Sequence, residues 1–165
     1  MIKVKSNMKT LVKDKGAAHI LREIEKMGSG LEVTTGIHLP EGDQFAFWKG
    51  ELQSDVNIAQ YAAWNEEGTR DIPSRPAFAR AMTLNLDKYE AKTMRGMKSI
   101  YNGTGTVMKL LNANAKLQKS WTKESIRNLN DPLNSIDWAR EKNRRGMGDT
   151  PLVASGTMLK SVTSK

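Results

Sequence analysis

The stretch that decides the fold begins Pro76-Ala77-Phe78-Ala79-Arg80-Ala81-Met82 and runs on to Met97-Lys98-Ser99-Ile100-Tyr101. Phe78, Met82, Leu86, Tyr89, Thr93, Met97 and Ile100 recur every three or four residues. That spacing stacks side chains along one face of a helix for about six turns. Pro76 suits a first helical turn, where its missing N–H costs nothing, and Ser74 stands where a capping hydroxyl is useful. Asn102-Gly103-Thr104-Gly105 interrupts the pattern. Val107, Leu110, Leu111, Asn114, Leu117 and Trp121 then mark a second helix, flanked by Lys109, Lys116, Lys119 and Lys123. Two long helices joined by a tight break therefore form one half of the expected fold.

Outward from that pair the pattern changes period. Met8, Leu11, Val12, Ala18, Leu21, Ile24 and Met27 predict an amphipathic N-terminal helix, ended by Gly28-Ser29-Gly30. Leu31 to Leu39 alternates and is rich in β-branched residues, which predicts a strand, and Pro40-Glu41-Gly42-Asp43 a turn. Gln44 to Asp55 shows no clean period, and the apolar run Val56–Trp64 fits a strand or a short helix equally. Asn65 to Pro76 is dense in turn formers. Residues 127–150 are polar and irregular apart from a helical turn around Ile136 to Arg140, and end in Arg144-Arg145-Gly146-Met147-Gly148-Asp149. They predict a flexible basic loop or arm, followed by a short closing segment from Pro151 to Val162. The sum is an α+β domain over residues 1–165: a small, mostly antiparallel sheet packed on one or two long helices.

Composition narrows the chemistry. At 165 residues there is room for one domain with a proper core. Cysteine is absent, which excludes disulfides, thiolate metal sites and cysteine nucleophiles. Two histidines cannot supply a three-histidine metal centre. No apolar run reaches membrane-spanning length, and the N-terminus lacks the apolar core of a secretory signal, so a cytosolic product is expected. The formal charge of +8 is uneven: +4 over residues 1–30, −5 over 31–70, +8 over 71–145 and +1 over 146–165. A basic chain fits a solvated surface or phosphate contacts. The alternation of sign also fits copies that meet negative patch to positive patch.

Catalytic constellations are weak. Gly103-Thr104-Gly105-Thr106 lacks the spacing and lysine of a phosphate loop. His19 precedes Glu23 by four residues, the spacing of an ordinary helix-surface pair, and His38 sits in the strand pattern facing solvent or a partner. Glu66, Glu67 and Asp71 form the one dense acidic cluster, and Ser155 and Ser161 have no nearby histidine to activate them. Trp48, Trp64, Trp121 and Trp138 fit a core or subunit contacts, with base stacking as the sharper alternative. No catalytic residue, cofactor or metal is expected.

Two motifs remain: Tyr61-Ala62-Ala63-Trp64-Asn65-Glu66-Glu67-Gly68-Thr69 followed by Ile72-Pro73-Ser74-Arg75-Pro76-Ala77-Phe78, and Pro151-Leu152-Val153-Ala154-Ser155-Gly156-Thr157-Met158-Leu159-Lys160-Ser161-Val162. In this order, with helices between them, they resemble the tail-completion (neck, or head–tail joining) proteins of tailed bacteriophages. The resemblance covers residues 55–162. It departs at Glu67, where an aromatic is common, at the extra Ala77, and at Ala154 in place of an acid. The resemblance implies an alanine/aromatic strand leading into Asn65, a long helix after Phe78, and a structural virion role without catalysis. It further implies a homo-oligomeric ring between a head connector or adaptor and tail terminator or tail tube proteins, with non-specific contact to DNA in the channel and no membrane.

Trp64, Asn65, Glu66, Gly68, Thr69, Arg75, Pro76, Phe78, Pro151, Leu152, Ser155, Gly156, Met158 and Ser161 are then the candidate assembly residues, and Lys109, Lys116, Lys119, Lys123, Arg144 and Arg145 the candidates to face DNA. Physics gives several of them plainer work inside one chain. Gly68 can adopt the positive φ of a tight reversal. Asn65 can brace that reversal, Arg75 can pair with Glu66 or a neighbour's acid, and Ser155-Gly156 can turn the last segment back to a sheet edge. The alternative to the joining role is a small basic nucleic-acid-binding protein.

Overall fold

The computed structural model describes residues 16–40, 42, 45–48 and 51–165. Helix α1 (Ala17–Gly28) is followed by strand β1 (Thr35–Ile37), a hairpin of β2 (Phe45–Trp48) and β3 (Glu51–Asn57), then helices α2 (Ile58–Glu67), α3 (Ala77–Thr83), α4 (Leu86–Tyr101), α5 (Val107–Asn128), α6 (Ile136–Arg144) and α7 (Thr157–Ser161), and strand β4 (Val162–Ser164). The class is α+β with helix predominating. Two small antiparallel sheets stand where one was expected. β1 pairs with β4, Gly36 opposite Thr163, and β2 pairs with β3, Phe47 opposite Leu52, with a register shift between Phe45 and Phe47.

α5 is the axle of the fold, with α1, α3, α4, β1 and β4 packed around it. Ala77 and Ala81 are fully buried on α3 and, having only methyl groups, let its backbone lie close to α5. Gly96 does the same for α4: a β-carbon there would collide with the Leu110 side chain. Ile58 and Ala62 of α2, Ala77, Ile126, Leu129, Leu152, Met158 and Val162 form the core, with Ile37, Tyr61, Phe78, Val153 and Leu159 against it.

Several expectations need correction. The stripe from Phe78 to Ile100 is not one helix but two. The Asn85 side-chain amide donates to the Ala81 carbonyl and Thr83 to Ala79, so local side chains take over backbone acceptors and the chain re-enters as α4. The alanine-rich run that the resemblance places on a strand is helix α2. Asn57 ends β3 and caps α2 by accepting from the Gln60 N–H at 2.8 Å, and alanine favours helix. Residues 127–150 are no extended arm. α6 occupies their middle, Leu129 and Met147 are buried, and the Lys142 side chain is wholly enclosed, its ammonium donating to the Thr150 carbonyl. The expected N-terminal helix is seen as α1 from Ala17; its earlier part lies outside the described residues.

Candidate functional site

The two motifs fold into one hub. α2 ends at Gly68, whose φ of +82° and tight approach to Ser74 leave no room for a side chain, and the Gly68 N–H donates to the Trp64 carbonyl. Thr69 tightens the loop by accepting from the N–H groups of Asp71 and Ile72. Glu66 reaches forward to α3: its carboxylate accepts from the N–H groups of Phe78 at 3.0 Å and Ala79 at 2.8 Å. A carboxylate at a helix N-terminus satisfies orphan donors and complements the positive end of the helix. Glu66, not Ser74, is the cap; the Ser74 hydroxyl donates to the Glu66 carbonyl.

Arg75 does not pair with Glu66. Its guanidinium is buried and donates to the carbonyls of Pro132 (3.0 Å) and Leu133 (2.8 Å), with a longer contact to the Asn65 side-chain oxygen. Asn65, 2% exposed, donates its own amide to the Tyr61 carbonyl and accepts the Arg75 N–H on its main-chain oxygen. The closing motif meets this arrangement from the other side. Pro151, Leu152, Met158 and Ser161 are buried, and Gly156, at φ +75°, begins α7, which leads into β4 at the edge of β1. Ser155 shares a hydrogen bond with Thr157.

Of the candidate assembly residues, Asn65, Arg75, Pro151, Leu152, Met158 and Ser161 thus have their side chains inside the subunit. Thr69 and Pro76 are exposed, and Trp64, Glu66, Gly68, Phe78, Ser155 and Gly156 are half-buried. What the hub offers outward is a recess of about 100 Å³ walled by Tyr61, Trp138, Ile58 and Met158. A second recess of about 220 Å³ adjoins it, sharing Tyr61 and Trp138 and reaching Asp71 and Arg75. Burial pushes the Tyr61 phenol above its usual range, against the opposing pull of Arg75.

The basic residues separate into two groups. Arg144 and Arg145 lie on and just after α6, bound to Glu141; that double clamp, Arg144 first, lowers the Glu141 carboxyl to about 2. Lys109, Lys116, Lys119 and Lys123 lie on α5, Lys109 and Lys116 exposed and the other two half-buried. They belong to a larger field, since residues 77–128 contain ten lysines and arginines against Asp87, Glu90 and Glu124. The segment therefore carries net +7 of the chain's +8. Among the described residues none of these ten cations forms a salt bridge. Lys123 feels the crowding: partial burial, then Lys119 and Arg127, push its ammonium below the usual lysine value.

Sequence reasoning missed three features. Glu23, treated as a surface partner of His19, is 3% exposed and accepts from the Val107 N–H at 2.8 Å and the Lys26 ammonium at 2.7 Å, while His19 contacts the Gly105 carbonyl. His38 is held between the hydroxyls of Thr34 and Thr163. Lys88, Lys92 and Arg95 form a second cationic row on α4, and their spacing of four and three was a legible signal. Among the described residues no group of three or more histidine, aspartate and glutamate side chains is placed to hold a metal ion. Among the described residues no helix is long and apolar enough to cross a membrane. No family model, curated protein or solved structure matches this chain.

Proposed function

We propose that this chain is a structural assembly subunit of the tail-completion or neck type of a tailed bacteriophage, acting as one copy of a ring that joins head connector to tail, in the virion, without catalysis. One observation carries the reading: the two motif segments, far apart in sequence, close on each other into a single hub with adjoining recesses at Tyr61 and Trp138. Apolar side chains left outside the core support it. Leu21, Ile24 and Met27 on α1 and Met94, Met97 and Tyr101 on α4 are all exposed, and such surface marks interaction sites. A ring needs unlike surfaces to meet head to tail, and many copies multiply a modest contact. The test is particle assembly without this protein: filled heads beside free tails are the expected result. Intact infectious particles lacking it overturn the reading.

A second reading, a small basic nucleic-acid-binding protein, is favoured by the unpaired net +7 of residues 77–128. It predicts salt-sensitive binding to nucleic acid by a monomer or dimer.

A further inference from the structure

We propose that the furrow between α4 and α5 is a binding track for single-stranded nucleic acid, with a base stacked on Trp121 and the backbone lying along Arg80, Lys88, Lys92, Arg95 and Lys109. The inference rests on the second reading and sharpens it from a charged surface to a defined site.

The furrow carries a recess at each end. One, of about 270 Å³, is walled by Lys92 and Arg95 of α4 and Lys109 of α5. The other, also about 270 Å³, opens where α3 gives way to α4 and brings Arg80 and Lys88 to face Trp121 and Asn128 of α5. Lys109 and Trp121 stand twelve positions apart on the helix, about 18 Å of rise. A strand of about four nucleotides or more fits that length, the low end of ordinary single-strand sites. Five cations line the two recesses against one acid, Glu124. Among the described residues, Arg95 donates only to the Ala91 carbonyl of its own helix and Lys88 only to the neutral Asn85 side chain, so no described acid neutralises either charge. The Ser125 hydroxyl belongs to the Trp121 recess, is buried, and has no hydrogen-bond partner. A buried hydroxyl without a partner is costly unless something else supplies one.

The shape selects the class of ligand. Packed helices stand about 8–10 Å apart at their axes, so the furrow between them is scaled to a single backbone. An aromatic wall rewards a flat, unpaired base, which a duplex keeps stacked inside and an acidic peptide lacks. The cations supply attraction that is indifferent to sequence.

The test uses the full chain and fluorescence anisotropy, with an oligothymidylate of about twelve nucleotides, the matching duplex, and inorganic polyphosphate as a plain polyanion. The single strand is expected to bind most tightly. Five neutralised phosphates give a slope of about −3.5 in log affinity against log salt. Trp121→Leu is expected to weaken the single strand about five- to a hundred-fold and leave polyphosphate unchanged. Lys92→Glu with Arg95→Glu, both exposed and outside the core, is expected to flatten the slope. If Trp121→Leu loses its fold by circular dichroism, Trp121→Phe and the charge reversals decide in its place. Equal affinity for strand, duplex and polyphosphate overturns the furrow proposal while leaving a basic nucleic-acid surface standing. No binding to any of the three at low salt overturns both.

Discussion

Removing the Arg75 guanidinium separates a residue that builds the subunit from one that joins subunits. Two of its hydrogen bonds, to the Pro132 and Leu133 carbonyls, have good geometry, whereas the third, at 3.5 Å to Asn65, contributes little. Hydrogen bonds from a charged donor are worth about 1.5–3 kcal/mol each. Both contacts are only part-buried, so water can replace the lost donor and the lower figure applies, about 3 kcal/mol in all. For a chain of this length each kcal/mol moves the melting temperature by about 2–4 °C, so Arg75→Ala should melt about 6–12 °C lower. Arg75→Lys offers one point donor for two acceptors and should recover about half of the loss. The assay is thermal unfolding by circular dichroism, with sedimentation alongside. A variant that melts within about 2 °C of the parent yet fails to assemble would place Arg75 at a subunit contact and refute the intrachain account.

Other expectations follow from the same contacts. Gly68→Ala combines a left-handed φ with a β-carbon pressed on the Ser74 backbone; urea denaturation should show a loss of about 2 kcal/mol or more, and an unchanged midpoint would contradict the reversal. The Glu23 carboxyl is held below its usual value by the Lys26 ammonium and then the Val107 N–H. Its contribution is therefore complete above the ordinary glutamate pKa, about 4.3, and disappears as pH falls through the lower folded value. Glu23→Gln should remove that part of the acid limb in a stability–pH curve, and identical limbs would count against it. NMR titration of Glu141 should show a midpoint near 2 that returns toward the ordinary range in Arg144→Gln with Arg145→Gln. Lys142, fully enclosed, should be the slowest lysine to acetylate in the folded protein by mass spectrometry, although burial lowers its pKa and would otherwise make the amine more reactive.

Helix existence was legible where the period was long and uninterrupted. Val107 to Trp121 reads directly as α5, and Asn102-Gly103 as its separation from α4. The split at Leu84–Asn85 was harder, because the apolar spacing runs straight through it. Only Thr83 and Asn85, short polar side chains able to bond the backbone, betray it. Val56–Trp64 was ambiguous because its first two residues finish a strand and the rest are helix, with Asn57 the capping residue between. The hub was half legible. The turn at Gly68 follows from local chemistry, whereas the Arg75 partners are carbonyls fifty-seven and fifty-eight positions away, and main-chain acceptors leave no mark on a sequence. Lys142 illustrates the opposite failure, since a polar, irregular pattern predicted a flexible basic loop or arm over residues 127–150 while the chain folded one lysine inward.

The acidic side chains of this fold do work that the net-charge profile conceals. Glu23 on α1 caps α5 by holding the Val107 N–H, and Glu66 on α2 caps α3 through Phe78 and Ala79. Each is a carboxylate delivered from another element to a helix N-terminus, where the helix dipole favours it. The docking of α1 follows: Glu23 and His19 turn toward the α4–α5 connection, so Leu21, Ile24 and Met27 are carried to the outside. Along the described part of the helix, the apolar stripe of Leu21, Ile24 and Met27 is thus not the face that holds it to its own chain. Acids fixed at helix termini are unavailable to neutralise the cations of α3, α4 and α5; on Lys123, burial first and then the neighbouring Lys119 and Arg127 lower the ammonium's pKa. Self-repulsion of that kind opposes compactness, and a bound polyanion relieves it. If it does, the melting temperature should rise with added oligothymidylate in the parent and far less in Lys92→Glu with Arg95→Glu, because only a ligand that binds the folded state stabilises it. An equal rise in both would place the anion elsewhere on the molecule.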